Sequence, residues 1–243
     1  MTGAEPPTDP ADSAAPAHPA NPAAGPAEPA PGPTEWGEGE VGVGPWELEH
    51  PGEPRPVGDR WDPELLNTGD RRNVVDRYRY WRREAIVADL DTRRHPFHVA
   101  IENFGHDANI GTVVRTANAF LAAEVHIVGR RRWNRRGAMV TDRYQHLRHH
   151  PDVAALMEWA HAEGLPVVAV DNLPGAEPLE TASLPREVVL LFGQEGPGVS
   201  DDARLRAAKT VSIAQFGSTR SINAGVAAGI AMHAWIREHA GPA

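Results

Sequence analysis

Val211-Ser-Ile-Ala-Gln-Phe-Gly-Ser-Thr-Arg-Ser-Ile-Asn-Ala-Gly-Val-Ala-Ala-Gly-Ile230 is the stretch from which the fold is read. It joins a short apolar strand to a polar Gly/Ser/Thr turn, and the turn to a helix of small residues opened by Ser221 and Asn223. Two earlier stretches also set polar groups at the exit of an apolar strand: Asn103 to Arg115, and Leu190-Leu-Phe-Gly-Gln-Glu-Gly-Pro-Gly198. Apolar runs at 97–101, 125–128, 167–171, 188–192 and 211–213 alternate with helical segments at about 109–122, 152–163, 201–208 and 221–239. Fully apolar strands separated by helices mark a parallel sheet covered on both faces. The sequence therefore predicts an α/β domain over 96–243, with a mostly parallel sheet and helices on both faces. Ligands of such sheets lie beyond the carboxyl ends of the strands, so the three polar loops are expected to meet in one site.

The rest of the chain differs in composition. Residues 1–60 hold 14 of the 23 prolines and 11 acidic residues against only Arg55 and Arg60. That segment carries the whole formal charge of −9, and residues 61–243 balance 22 basic against 22 acidic side chains. The low pI belongs to the tail and does not argue against an anionic partner for the remainder. Ala, Pro, Gly and Glu with few branched apolar residues cannot bury enough surface to offset ordering entropy, which predicts a disordered tail over 1–60. Trp36 and Trp46 are its candidates for docking. There is no cysteine, hence no disulfide framework and no thiolate zinc site. No basic segment followed by an apolar run suggests a signal peptide, and no apolar segment nears the roughly 20 residues that span a bilayer. A cytoplasmic protein without a membrane partner is expected.

Residues 61–95 read as an Arg-rich helical extension. Asp62-Pro63 resembles an N-cap followed by proline in the first turn, and Gly69 or Asp70 interrupts the helix. Val74, Tyr78, Trp81, Ala85, Ile86 and Leu90 recur at helical spacing as one apolar stripe, with six arginines mostly off it. Those arginines suit either a solvated face paired with Asp76, Glu84 and Asp89 or a basic ridge for nucleic acid.

In the first polar loop, Asn109 is expected to cap a helix whose N-terminus, with Gly111 allowing close approach, suits an anion. Arg115, one turn past Gly111 and with little local acid, is the candidate for contacting a phosphate or a reacting hydroxyl. The second loop places glycines at 193, 196 and 198, which is neither the dinucleotide fingerprint nor a phosphate loop, and Glu195 argues against a polyphosphate. Its backbone amides around Gly193 suit a neutral adenosine edge, although a plain strand-exit turn explains the motif equally well. In the third loop, Ile213 and Ile222 offer apolar walls of the kind an adenine ring fits. Each glycine in the helix that follows costs roughly 1 kcal/mol, so Gly225 and Gly229 imply that something packs very close, another segment or a second subunit.

Taken together, Asn109-Ile-Gly111 with Arg115-Thr-Ala, Leu191-Phe-Gly-Gln-Glu-Gly-Pro-Gly198, and Ile213 through Ser221-Ile-Asn223 to Ala227 resemble the three ordered motifs of the SpoU (TrmH) family. These are RNA ribose 2′-O-methyltransferases of the SPOUT superfamily, and the resemblance covers about residues 97–239. It implies a C-terminal trefoil knot, a homodimer and S-adenosylmethionine held in the knot loops. No topology rule would deliver the knot, since true knots are nearly absent from proteins. By the resemblance, Gly193, Ile213 and Ile222, with Leu191 and Gly198 of the same motif, are cofactor positions. Arg115 matches the arginine thought to activate the ribose hydroxyl, and Asn109, Glu195, Ser221 and Asn223 match the other active-site positions. A guanidinium keeps its proton to above about pH 12, so such an arginine works with an RNA phosphate or by hydrogen bonding the hydroxyl. The chain departs from the family at Ala214-Gln215, usually Pro-Met, and at Asn223-Ala-Gly225, usually Asn-Val-Ser. The segment 61–95 is also too short for the ribosomal-protein-like domain of several relatives. The implied activity is methylation of a ribose in tRNA or rRNA. The alternative is a catalytically silent RNA-binding or ribosome-assembly protein of the same fold.

Arg130-Arg-Arg-Trp-Asn-Arg-Arg136, followed by Arg143, His146, Arg148, His149 and His150, is the strongest charge bias in the chain, with Asp142 as its one acid. Arg130, Arg131, Arg132, Arg135, Arg136 and Arg143 suit phosphate contacts and Trp133 base stacking. Metal binding by these histidines is not expected, because they lack helical spacing and paired carboxylates.

Overall fold

The computed structural model describes residues 42–103, 105, 107–194 and 196–240. The predicted tail thus lies outside the described residues up to residue 41, as does Trp36. Residues 42–60, assigned to that tail by composition, are packed. Helix α1 (Trp46–Glu49) places Trp46 on His50 with ring centroids 3.8 Å apart and edge-on to Trp61 and Tyr80. Val43 bridges Asp70 in antiparallel fashion, and the Tyr80 hydroxyl donates to the Gly44 carbonyl at 2.7 Å. The ordered boundary falls earlier than composition suggested because the aromatic residues of 61–81 supply the apolar surface this segment lacks.

Helix α2 (Pro63–Thr68) begins as read: Asp62 accepts from the backbone N–H of Glu64 and Leu65, proline fills the first turn, and Gly69 at φ 91° ends it. The expected helix over 70–90 does not form as one piece. Only α3 (Arg83–Asp91) is α-helical, preceded by a single 3₁₀ turn at Asp76–Tyr78. Asp70 is the cause. Its carboxylate is fully buried and accepts from the Arg72 backbone and guanidinium and from the Tyr80 N–H. Such side chain-to-backbone bonds compete with helix formation, and Tyr80 turns with φ at 63°. The stripe residues nevertheless share one cluster. Tyr78, Ile86 and Leu90 bury with Tyr144, flanked by Val74, Trp81, Val87 and Leu121, and so dock the extension on the following domain.

That domain is a seven-stranded sheet in the order β3-β2-β1-β6-β4-β7-β5, with every pairing parallel. The strands are β1 (Phe97–Asn103), β2 (Val125–Gly129), β3 (Leu147–His150), β4 (Val167–Val170), β5 (Glu177–Pro178), β6 (Val188–Phe192) and β7 (Lys209–Ser212). The two edge strands escaped the sequence reading. β3 is Leu-Arg-His-His and β5 has two residues, and edges need no apolar run. Helices α4 (Ile110–Ala119) and α7 (Ala224–His239) cover one face, meeting Phe97, Val99, Ile101, Val125 and Phe192. Helices α5 (Val153–Ala162) and α6 (Asp201–Arg206) cover the other, meeting Ala100, Val128, Ala169 and Leu191. Trp235 of α7 is fully buried against Phe97, its indole N–H donating to the Pro185 and Arg186 carbonyls. The small residues of α7 answer to a neighbouring segment. A Cβ on Gly225 would stand 3.1 Å from the Thr112 methyl of α4. No helix among the described residues is long and apolar enough to cross a membrane.

Candidate active site

The loops after β4, β6 and β7 enclose a cavity of about 290 Å³ at the carboxyl end of the sheet. Phe192, Ile213, Ile222 and Ala227 give it apolar walls, and Gly193, Gly198, Ser221 and Arg220 line it as well. Of the sequence-derived cofactor positions, Gly193, Gly198, Ile213 and Ile222 line this cavity. Leu191 does not: in β6 its side chain points to the α5 side while Phe192 points to the cavity, as strand alternation requires. The loop after β4, with Asp171, Asn172 and Leu173, is a fourth contributor that the sequence reading missed. Its signal was there, since Asp171-Asn172 follows an apolar strand as the other loops do.

The Gly-rich loop turns back on itself. Gln194 and Gly198 exchange backbone hydrogen bonds of 3.1 and 3.0 Å, with Gly196 and Gly198 at positive φ. A Cβ on Gly193 would lie 2.0 Å from the Gly198 carbonyl carbon, so only glycine fits. Two carboxylates grip the loop from behind. Asp171 accepts from the Val199 N–H at 2.8 Å, and Glu102 from both the N–H and hydroxyl of Ser200. Glu102 is 1% exposed, and burial raises its pKa against the Ser200 hydrogen bonds that lower it. Asn172 donates to the Arg220 carbonyl at 3.1 Å, tying the loop after β4 to the loop before α7.

The loop after β1 joins this assembly at two points. The Gly105 N–H donates to the Gln194 side chain, and Asn223 Nδ2 donates to Asn109 Oδ1 at 2.9 Å. Asn223 is also the N-cap of α7, accepting from Gly225 and Val226. Asn109 does not cap α4 with its side chain, contrary to expectation: its backbone is already helical, and its amide turns to Asn223 instead. Gly111 also has a different reason. A Cβ there would meet the backbone of Gly137 and Ala138 at 2.6–2.7 Å, so it lets the turn Arg135–Ala138 lie on α4. Arg115 is exposed on α4, outside the cavity lining, with no hydrogen bond or ion pair among the described residues. Ser221 is exposed on the cavity rim. Glu195 lies outside the described residues.

The basic segment lies beside α4, its two 3₁₀ turns, Arg135–Ala138 and Thr141–Arg143, packed on that helix. Arg131, Arg132, Arg136 and Arg143 are exposed and make no ion pair among the described residues. Arg130 donates to the Gly105 carbonyl at 3.1 Å, and Arg135 pairs with Asp142 at 2.8 Å. Trp133 departs from its expected role. It packs against the core, with the Arg135 guanidinium 5.4 Å from its ring centre, and so anchors the loop. The histidines behind it are not part of this surface: His150 is buried, His146 meets Asp91, and Arg148 pairs with Glu124.

Comparison with known proteins agrees with this geometry. The family described as SpoU rRNA Methylase matches residues 96–233. An uncharacterized tRNA/rRNA methyltransferase of Mycobacterium ulcerans is 30% identical over 194 residues, 74% of this chain and 59% of its own length. The tRNA (guanosine(18)-2′-O)-methyltransferase of Thermus thermophilus is 27% identical over 157 residues, 61% of this chain and 78% of that one. Among solved structures, the AdoMet-bound rRNA methyltransferase from Sinorhizobium meliloti superposes with a TM-score of 0.54 at 25% identity, covering 63% of this chain and 60% of that one. The chain thus spans somewhat under two thirds of the mycobacterial relative. With the profile covering more than half of its residues and the parallel sheet in common, the chain belongs to the SpoU rRNA methylase family.

Proposed function

We propose that this protein transfers a methyl group from S-adenosylmethionine to a ribose 2′-hydroxyl of tRNA or rRNA. The observation that carries the reading is the cavity at the carboxyl ends of β4, β6 and β7. There Phe192, Ile213 and Ile222 can hold an adenine while the backbone at Gly193 and Gly198 offers polar groups to its edge. Asp171 on the same wall adds a carboxylate suited to a cationic donor. When bound, the cofactor supplies an electrophilic methyl on sulfur. The chain's own part is to position the ribose and to prepare its hydroxyl, and positioning alone lowers barriers by several kcal/mol. Arg115 has no competing partner among the described residues and serves by hydrogen bonding the hydroxyl or a neighbouring phosphate. Asn109 and Asn223 brace α4 against α7, and Ser221 and Glu195 complete the set on the loops around the cavity. Arg130, Arg131, Arg132, Arg135, Arg136 and Arg143 hold the RNA backbone on the surface beside α4.

The functional unit is a homodimer in the cytoplasm. Val226 and Ile230 of α7 are 53% and 40% exposed, an apolar pair that a second copy would cover. The test is methyl transfer from labelled S-adenosylmethionine to unmodified total RNA. Arg115→Ala should lower turnover by about 10²–10³-fold while cofactor affinity by calorimetry stays within about twofold. Wild-type protein that binds RNA and cofactor yet transfers no methyl would favour the silent RNA-binding reading.

A further inference from the structure

The sheet face covered by α5 carries a cluster that methyl transfer does not use. His98 of β1, His126 of β2 and His150 of β3 stand side by side across three neighbouring strands. His98 Nδ1 lies 3.0 Å from His126 Nε2, and His126 Nδ1 lies 2.9 Å from His150 Nε2. Trp159 of α5 covers the row, its ring centre 4.2 Å from that of His126. Glu124, just before β2, brings its Oε2 to 3.9 Å from His126 Nε2. One ligand atom from each of His98, Glu124 and His126 lies within 4.8 Å of the other two.

We propose that His98, His126 and Glu124 form a binding site for a zinc-class divalent cation, with water as the fourth ligand. Two imidazoles and one carboxylate are a donor set zinc takes up, at about 2.0–2.2 Å from each atom. Arms of that length at tetrahedral angles separate the donors by roughly 3.4 Å, so the observed 3.0 and 3.9 Å need only small side-chain shifts. His126 is fully buried, and its Nδ1 faces His150 Nε2. With Nδ1–H donating to His150, the Nε2 lone pair is left pointing at His98 and Glu124. A ligating histidine fixed by a hydrogen bond from its other nitrogen is the usual arrangement at metal sites.

Arg148 explains how the cluster stands without a cation. Its guanidinium pairs with Glu124 at 2.9 Å and lies 5.3 Å from the Trp159 ring centre. Its side chain is 47% exposed and can swing into solvent when a metal takes over the carboxylate. Glu124 precedes β2 and His98 is the second residue of β1, so the site sits toward the amino ends of the strands, away from the cavity at their carboxyl ends. The cation would clip β1 to β2 and stabilise the fold, leaving the reacting centre alone.

Cobalt(II) titration of the full chain, followed by visible absorption and by zinc competition, tests this. The expected result is one equivalent of cobalt with the strong bands of a tetrahedral site, displaced by one equivalent of zinc. His98→Ala and Glu124→Gln should each lose the bands and weaken zinc by at least about 10-fold. Arg148→Ala, which removes the competing cation, should tighten zinc binding severalfold. Zinc should raise the melting temperature of the wild type but not of His98→Ala. Absence of the bands in the wild type overturns the proposal. So does unchanged zinc affinity in both ligand variants, which would assign the metal to adventitious surface histidines.

Discussion

Two arginine-rich segments lie in this chain, and their cations meet different fates. In the extension, Arg72 pairs with buried Asp70, Arg77 and Arg93 with Asp89, Arg79 with Asp76, Arg83 with Glu84, and Arg94 with Asp91. Between 130 and 143, only Arg135 finds a carboxylate, and Arg131, Arg132, Arg136 and Arg143 project without a partner among the described residues. Arginine content is similar, but the positions of the acids differ. A guanidinium engaged by protein carboxylates must give up that pairing before it can hold a phosphate, whereas an unpaired one is ready for it. Of the two readings that the sequence left open for the extension, the charge-paired face is the one its geometry fits. The contrast also separates buried from exposed pairs, because only Asp70 is wholly removed from water.

Breaking the buried pair should have the largest effect. Asp70→Asn leaves Arg72 without its carboxylate, and breaking such a pair by removing one partner costs about 3–5 kcal/mol, read by urea denaturation. Burial acts to raise the Asp70 pKa, but the Arg72 and Tyr80 hydrogen bonds win and hold it below the ordinary value. A carboxylate whose folded pKa is depressed stabilises above its unfolded pKa, near 3.9, and that contribution is lost as pH falls through the folded value. The wild type should therefore lose stability below about pH 4 in a step that Asp70→Asn lacks.

Next in size is the open segment. Reversing Arg131, Arg132 and Arg136 to Glu should weaken RNA binding by about 100-fold and flatten its dependence on log salt by roughly two units, with unchanged melting temperature. A gel shift with wild-type affinity would end the case for this surface. The smallest effect is expected at an exposed pair of the extension. Arg83→Ala removes the contact to Glu84, both side chains being more than half exposed, and should change stability by less than about 1 kcal/mol. RNA affinity should also be unchanged. A loss there comparable with the triple reversal would make the extension a second RNA surface and erase the contrast.

Much of the site could be read before any coordinates because its residues work through backbone shape. Gly193 stands where any Cβ would strike the Gly198 carbonyl, and Asn223 caps α7, so both needs are written into single residue types. Asn109, Gly111 and Trp133 were placed correctly along the chain, but their partners were misjudged. Those partners are Asn223, the Gly137–Ala138 backbone and the core, and only the first was even a candidate. The histidine row was hidden for the same reason: His98, His126 and His150 are separated by more than twenty residues and meet only through strand register.

The sequence by itself determined the parallel α/β domain, the loops that form its site and the family, because apolar periodicity and glycine spacing are local and survive without a third dimension. Tertiary structure alone decided which arginines are free, why the helix over 70–90 breaks, and which loop after β4 joins the cavity. Those outcomes depend on where distant side chains come to rest. A carboxylate such as Asp70 reorganises a backbone only once burial has removed the water that would otherwise satisfy it.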